Sequence, residues 1–210
     1  MKHLKRTIAV SLALASLTAF SISISAQSQE NSVVQPQKAS FVGLIESIKE
    51  TNTLFGNKQN LTATIVKEDG QRITLNLNKH TAIIDHETSE PAKLKHLKDG
   101  QLIFFAYPTD SAISGETPSL SPEVVVILSE KSTDKLKFDI FDSNGLSSDG
   151  SLRITLTEQT KITTKSNKPI SIDKAIGKPM LVFFNELTLP SHGEAPQTIP
   201  TRVIVVGKKG

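Results

Sequence analysis

The sequence predicts an all-β protein in which two tandem, duplicated small β-barrels each contain about five strands and one short helical turn. Polar and apolar residues alternate through short segments such as Arg72–Leu77, as expected of strands that bury one face. Glycine, aspartate and proline separate these segments, which is typical of tight turns. A set of the segments also recurs in the same order about 80 residues later, which indicates an internal duplication.

The first copy contains the clearest hairpin. Thr62–Val66 and Arg72–Leu77 flank Lys67–Gly70, where an Asp-Gly pair favours the positive φ that a tight turn requires. Ala92–Lys98 is predicted to form one short helical turn, which Asp99-Gly100 ends. Three further strands are predicted at Thr81–Ile84, Leu102–Tyr107 and Val124–Leu128.

Five pairs of segments carry the repeat, and both copies also read G-E-x-P-x-x-x-P, at residues 115–122 and 193–200. The pairs are Asp69-Gly70 with Asp149-Gly150, Ile73–Leu75 with Ile154–Leu156, Thr81 with Thr160, Ile103–Phe105 with Val182–Phe184, and Val124–Ile127 with Arg202–Val205. The offset between the copies drifts slowly, as small loop deletions would produce. Units of this length have the size of small domains. One extended sandwich built by both copies is the alternative.

The predicted boundaries are a signal peptide at residues 1–26, a flexible linker at 27–40, and barrel repeats at 41–130 and 131–210. The linker is rich in Gln, Ser and Asn, which disfavours a packed structure. The second repeat has no clear equivalent of Phe41–Ile48. Its first strand is therefore expected at Val124–Ser129, which would let the two barrels share an edge.

The first 26 residues have the layout of a secretory signal peptide. Three basic residues come before an apolar stretch from Thr7 to about Phe20, and a run of small residues ends at Ala26. An uncleaved membrane anchor is the alternative, but the stretch is short for a spanning helix and contains Ser and Thr. No second apolar run of about 20 residues follows. The sequence therefore predicts a secreted or extracytoplasmic protein with no membrane span after cleavage.

Charge and cysteine content exclude several classes of function. The chain has 24 basic and 21 acidic residues, and loss of the three basic residues of the leader leaves equal numbers of each. A net charge of zero gives no basic footprint for nucleic acid, although a local basic patch is compatible with it. The chain has no cysteine, which excludes disulfides, thiolate metal sites, a thiol nucleophile and a cysteine-linked lipid anchor.

The order of segments in the first copy resembles a known class of domain. Gly43–Ile48 reads G-x-I-x-x-I, and a hairpin, a Thr-x-Ile segment, a leucine-containing turn and a hydrophobic strand follow it. A proline-containing loop then precedes a Val/Ile run. In this order, residues 41–206 resemble exported bacterial domains of unknown function with an OB-like barrel. The resemblance implies a closed OB-like barrel in each copy, and it implies no catalytic residues.

A weak candidate metal site is formed by His80, Asp85 and His86, whose imidazole and carboxylate groups are ligands for divalent metals. Residues 80 and 86 share a strand face by parity, but about 20 Å of extended chain would separate them. They meet only if the loop after Ile84 folds back. The alternative is a set of exposed polar residues at a strand end. The second copy has no histidine in this stretch, so a site here would be unique to the first copy.

The sequence contains no recognisable catalytic motif. Neither a G-x-S-x-G elbow nor an H-E-x-x-H pair is present, and the adjacent Ser191-His192 rarely gives the geometry of a nucleophile with its base. Paired carboxylates are defined by spatial distance, so an enzyme acting on an envelope polysaccharide or peptide stays as an alternative. No catalytic residue and no cofactor is predicted.

Two proline loops, residues 108–122 and 187–200, are the candidate binding elements because they are long for hairpin connections. Proline stiffens such loops and lowers the entropy lost on binding. The alternative is that they only route the chain to the last strand of each copy. The function predicted is a non-catalytic binding or structural module, whose partner is an unidentified envelope or extracellular protein or polymer. The candidate contact residues are Gly115, Glu116, Pro118, Pro122, Gly193, Glu194, Pro196 and Pro200.

The Phe104-Phe105 and Phe183-Phe184 pairs lie in the most apolar segments. Because successive strand residues point to opposite faces, one ring of each pair is predicted to face its own core and the other the neighbouring copy. Eight residues are predicted to be core by the same parity: Ile73, Leu75, Ile103, Val125, Ile154, Leu156, Val182 and Ile204.

Overall fold

Two β-sheet systems, one from each half of the chain, make up the computed structural model, which describes residues 38–51, 60–108, 117–189 and 193–207. The predicted signal peptide, residues 27–37 of the linker, Gly115 and Glu116 lie outside these ranges. Within the described ranges, no helix is long and apolar enough to cross a membrane.

The first half forms a seven-stranded sheet over the described residues, in the order β4-β7-β5-β1-β2-β3-β6. Neighbouring strands are antiparallel except for the parallel pairs β4–β7 and β3–β6. A 3₁₀ turn (Leu94–His96) lies between β4 and β5, where the helical turn is predicted. The strands are β1 (Lys38–Thr51), β2 (Asn60–Lys67), β3 (Arg72–Leu77), β4 (Ala82–Asp85), β5 (Leu102–Pro108), β6 (Ser119–Leu120) and β7 (Val124–Ile127).

The second half forms a four-stranded sheet in the order β10-β13-β11-β8, and a separate pair, β9 with β12. A single-turn helix, α1 (Ile172–Ala175), precedes β11. The strands are β8 (Lys135–Ile140), β9 (Arg153–Ile154), β10 (Lys161–Thr164), β11 (Pro179–Phe184), β12 (Gln197–Thr198) and β13 (Arg202–Val205).

Strand pairing follows the same pattern in the two halves, as the predicted duplication requires. In both halves the strand after the helical turn (β5 or β11) lies antiparallel to the first strand and to the last strand. The last strand is parallel to β4 or β10, and the short strand within the proline loop is parallel to β3 or β9. Equivalent turns also agree, since Thr81 and Thr160 each donate a backbone N–H to the carbonyl three residues earlier at 3.0 Å.

For two segments, the structural equivalence between the copies differs by two residues from the alignment that the sequence predicts. The carbonyl of Leu102 accepts from Leu128 and that of Pro179 accepts from Val206, so Leu102 corresponds to Pro179 and Phe104 to Leu181. In the same way Leu75 corresponds to Ile154, because each pairs with the second residue of β6 or β12. A shift of two keeps strand parity, so the buried faces are unaffected.

The expected first strand of the second copy, Val124–Ser129, is wrong. Val124–Ile127 is β7 of the first sheet, and β8 takes the place that β1 has in the first copy. The two sheets therefore do not share an edge strand among the described residues. The copies contribute seven and six strands rather than about five, and β1 starts at Lys38, inside the predicted linker.

A tight turn replaces the long β1–β2 hairpin in the second copy. Isolated bridges join Phe141 to Ser147 and Leu146 to Arg153, so only two residues take the place of β2. Gly145 lies in this turn with a φ of 72°, and its carbonyl accepts a hydrogen bond from Ile154 at 2.8 Å. A Cβ atom on Gly145 would lie 2.0 Å from the carbonyl oxygen of Ile154, so only glycine fits here.

Each copy has its own core, and the first sheet curls so that all seven strands reach one core. Over the described residues its end strands, β4 and β6, are not hydrogen-bonded to each other. The all-β class is therefore confirmed, whereas closed tandem OB-like barrels stay a prediction. Seven of the eight predicted core residues are buried, and Leu156 is partly buried.

A third core joins the two copies. Phe104 and Phe183 lie in this interface core, whereas Phe105 and Phe184 lie in the cores of the first and second copy. The predicted division of the two phenylalanine pairs is thus confirmed. The interface core comprises Ala82, Ile84, Phe104, Ala106, Val124 and Val126 from the first copy and Phe138, Leu181, Phe183, Ile204 and Val206 from the second.

Replacement of Gly145 by alanine tests the tight turn. Gly145→Ala should cost about 1–2 kcal/mol for the left-handed backbone and a further ~1–3 kcal/mol for the overlap with Ile154. Gly150→Ala is the matched control, since Gly150 has a φ of 70° and no atom within 4 Å of an added Cβ. The free energies of unfolding come from urea denaturation, and equal losses in the two variants would contradict the close approach.

Candidate functional site

The described parts of both proline loops form hydrogen bonds with neighbouring strands and contain buried residues. The carbonyl of Pro118 accepts a hydrogen bond from Thr74 at 2.9 Å, and that of Pro196 accepts one from Arg153 at 2.8 Å. Pro122 and Pro200 are buried, and one residue separates each of them from β7 or β13. Pro118 and Pro196 thus attach each loop to β3 or β9, and Pro122 and Pro200 lead into the last strand, as the structural alternative for these prolines requires.

The second proline loop also presents apolar side chains to solvent. Thr188 and Gln197 exchange two backbone hydrogen bonds, of 2.8 and 2.9 Å, and so close the loop into a hairpin. Leu187, Leu189 and Ile199 beside this closure are 38, 77 and 62% exposed. They are three of the seven large hydrophobic residues that are exposed among the described residues. Single exposed hydrophobics are ordinary, but three within one hairpin make it a candidate contact surface.

Gly193 and Glu194 lie at the outer end of this hairpin. Gly193 has a φ of 74°, with open space where a Cβ atom would lie, and Glu194 is exposed. Among the described residues, neither Gly193 nor Glu194 forms a hydrogen bond or ion pair to the rest of the fold, in contrast to Pro196 and Pro200. Of the predicted contact residues in the second loop, Gly193 and Glu194 are therefore the accessible ones.

The structure does not gather His80, Asp85 and His86 into a metal site. The Asp85 carboxylate accepts hydrogen bonds from the backbone N–H and hydroxyl of Thr88, at 2.9 and 3.0 Å. His80 is exposed, and its backbone carbonyl accepts from Lys165. Among the described residues, no group of three or more His, Asp or Glu is arranged to hold a metal ion.

His86 is a buried residue of the contact between the copies. Its Nε2 donates to the carbonyl of Asp134 at 2.9 Å, and its ring centroid lies 6.3 Å from that of Phe183. The backbone N–H of Ser129 points at Nδ1 at 3.5 Å, which agrees with a proton on Nε2. Its partners assign it a role in packing the copies together.

A surface cavity of about 470 Å³ lies beside β10, between residues 157–163 and 167–172. Hydroxyl and aliphatic side chains line most of it, including Thr157, Ser171 and Ile172. Glu158 is the one carboxylate in this lining. The cavity therefore lacks the pair of carboxylates that the polysaccharide-hydrolysing alternative requires.

A polar network crosses between the copies. Glu90 of the first copy accepts from Arg202 at 2.8 Å and from Lys161 at 3.1 Å, and Arg202 also donates to Asn167 at 2.9 Å. Arg202 is buried at the position that Val124 holds in the first copy. Hydrogen bonding from Arg202, and then from Lys161, holds the pKa of Glu90 below its ordinary value. The carboxylate thus compensates a mostly buried guanidinium.

Sequence reasoning missed this network, although one signal was present. The repeat aligns Arg202 with an apolar residue of a buried strand, and a charge there requires a partner. Comparisons of the chain with protein-family models, curated proteins and solved structures find no match. The functional conclusion therefore rests on the surfaces of the chain itself.

Replacement of Glu90 tests the network. Glu90→Gln should lower the free energy of unfolding by about 1–2 kcal/mol at pH 7, because it weakens the compensation of a buried charge. Since the folded pKa of Glu90 is lowered from 4.5, this stability is present above pH 4.5 and is lost as the pH falls through the folded pKa. The difference from the unchanged protein should therefore disappear in acid.

The matched control is Glu87→Gln, which removes an exposed pair with Lys131 at 3.3 Å. That change should stay within about 0.5 kcal/mol at every pH. Chemical denaturation from pH 3 to pH 8 gives both values. A Glu90→Gln effect no larger than that of the control would show that the network contributes nothing.

Proposed function

We propose that the protein is a non-catalytic binding module that acts outside the cytoplasm, at the cell envelope or in the extracellular space. The exposed apolar hairpin of the second proline loop is its contact surface. The observation that carries this proposal is the exposure of Leu187, Leu189 and Ile199 on a hairpin whose backbone is held by Thr188 and Gln197.

A loop that is closed by backbone hydrogen bonds between Thr188 and Gln197 loses less conformational entropy on binding than an open loop would. The β9–β12 pair supports the hairpin, and the hydroxyl of Thr198 donates to the carbonyl of Glu186. Large aliphatic side chains contribute about 1.5–3 kcal/mol each when a partner buries them fully. Leu189 and Ile199, the two most exposed, have the largest area to bury.

The two alternatives from the sequence gain no support from the described residues. The three candidate metal ligands have different hydrogen-bond partners: Lys165 for His80, Thr88 for Asp85 and Asp134 for His86. The cavity beside β10 is lined by a single carboxylate. A binding module requires only a stable scaffold and an accessible surface, and the second proline loop provides the accessible surface.

The hairpin is tested with the double variant Leu189→Ser and Ile199→Ser. Cosedimentation with an isolated bacterial cell-envelope fraction measures binding, and the variant should bind at least about tenfold more weakly, since each 1.4 kcal/mol is a factor of ten. The control is Ile172→Ser, which changes a 38% exposed isoleucine on α1. Equal binding by all three proteins, or equal loss in both variants, would count against the hairpin.

A further inference from the structure

A second exposed apolar surface lies on the first copy. Val42, Leu44 and Leu102 are 37, 44 and 39% exposed. Leu44 is directly opposite Leu102, and Val42 is opposite Phe104, so all lie on one face of the sheet. We call Val42, Leu44 and Leu102 the open strip. It continues the interface core, which contains Phe104, out to solvent.

The second copy covers the corresponding positions. Register places Phe138 opposite Leu181 and Ile140 opposite Pro179, so these residues correspond to Val42 and Leu44. Both are buried, and Phe138 belongs to the interface core. The open strip is therefore a property of the first copy alone.

A lysine-rich turn adjoins the open strip. The backbone N–H of Gly100 donates to the carbonyl of Ile45 at 2.8 Å, and that of Ile45 donates to Gln101 at 2.9 Å. These bonds fix the turn against the end of the strip, directly before Leu102. Lys93, Lys95 and Lys98 of this turn are exposed, whereas Leu97 between them is buried. We call these three residues the lysine turn.

The lysine turn is positive because acidic residues do not neutralise it. None of its three ammonium groups forms an ion pair among the described residues, whereas Lys38, Lys67, Lys131, Lys137 and Lys161 each do. One exposed carboxylate, Asp99, follows in the same turn. This charge is the local patch that a neutral chain can still contain.

We propose that the open strip and the lysine turn together bind the surface of an anionic lipid membrane. Protein interfaces are depleted in lysine and depend on aromatic and arginine anchors, and neither surface supplies such an anchor. Lipid headgroups need only positive charge beside aliphatic side chains, without shape recognition. The inference goes beyond the proposed function, because it uses another surface and another class of partner.

Flotation with vesicles tests the proposal, with the chain starting at Gln27 so that the apolar stretch of the predicted signal peptide does not contribute to binding. The probes are phosphatidylcholine vesicles with and without about 30% phosphatidylglycerol. The protein should bind only the anionic vesicles, and less as salt is raised. Lys93, Lys95 and Lys98 changed together to Gln should lower the partition coefficient about 100-fold, at ~1 kcal/mol for each lysine.

The control removes the same charge from the equivalent turn of the second copy, by changing Lys168, Lys174 and Lys178 to Gln. That variant should bind as the unchanged protein does, because no open strip accompanies this turn. Leu44→Ser with Leu102→Ser should lower partition about tenfold, with Ile172→Ser as its control. Thermal unfolding confirms that each variant is folded.

Three results would overturn the proposal. The first is no binding to anionic vesicles, which leaves the surface to a protein partner. The second is an equal loss in both lysine variants, which indicates a general charge effect. The third is binding that depends on the lysines but not on Leu44 and Leu102, which indicates a soluble polyanion instead of a lipid surface.

Discussion

The rest of the structure depends on the apolar contact between the two sheets. Phe104, Ala106 and Val126 of the first copy occupy the same sheet positions as Leu181, Phe183 and Ile204 of the second, and all six lie in one core. Exposure of this apolar face to water would lower the stability of either sheet considerably, because a small domain buries little apolar surface on its own. The contact therefore makes two related units into one compact body.

The two copies differ in residue type at several positions of this contact. Where the first copy has Ala82, Ile84 and Val124, the second has Lys161, Thr163 and Arg202. The buried guanidinium is tolerated because its Nη1 donates to Glu90 and its Nη2 donates to Asn167, although its Nε has no partner among the described residues. Loss of one partner from such a network is costly because it leaves a buried charge uncompensated, whereas the intact network adds little stability over an apolar pair of the same size.

Alternation and repetition predicted the all-β class, the hairpin at Lys67–Gly70 and the division of the phenylalanine pairs, because strand parity follows directly from residue order. The place of β8 could not be predicted, since its role depends on pairing with β11, about 40 residues later. The candidate site was harder still. Pro122 and Pro200 were evident as residues, but their burial depends on the neighbouring strands. Leu189 and Ile199 look like core residues in sequence, and only the fold shows them exposed.

The separation of β9 and β12 from the larger sheet has a consequence for dynamics. Two residue pairs hold β9 and β12 together. Isolated bridges from Arg153 to Leu146 and from Ser147 to Phe141 connect β9 with the segment that follows β8. Short ladders open at lower free energy than the sheets that carry a core. We therefore expect the backbone amides of Arg153 and Thr155 to exchange with solvent through local fluctuations, while those of β11 exchange only when the whole unit unfolds. The hairpin thus rests on the part of the molecule that can rearrange without loss of the fold.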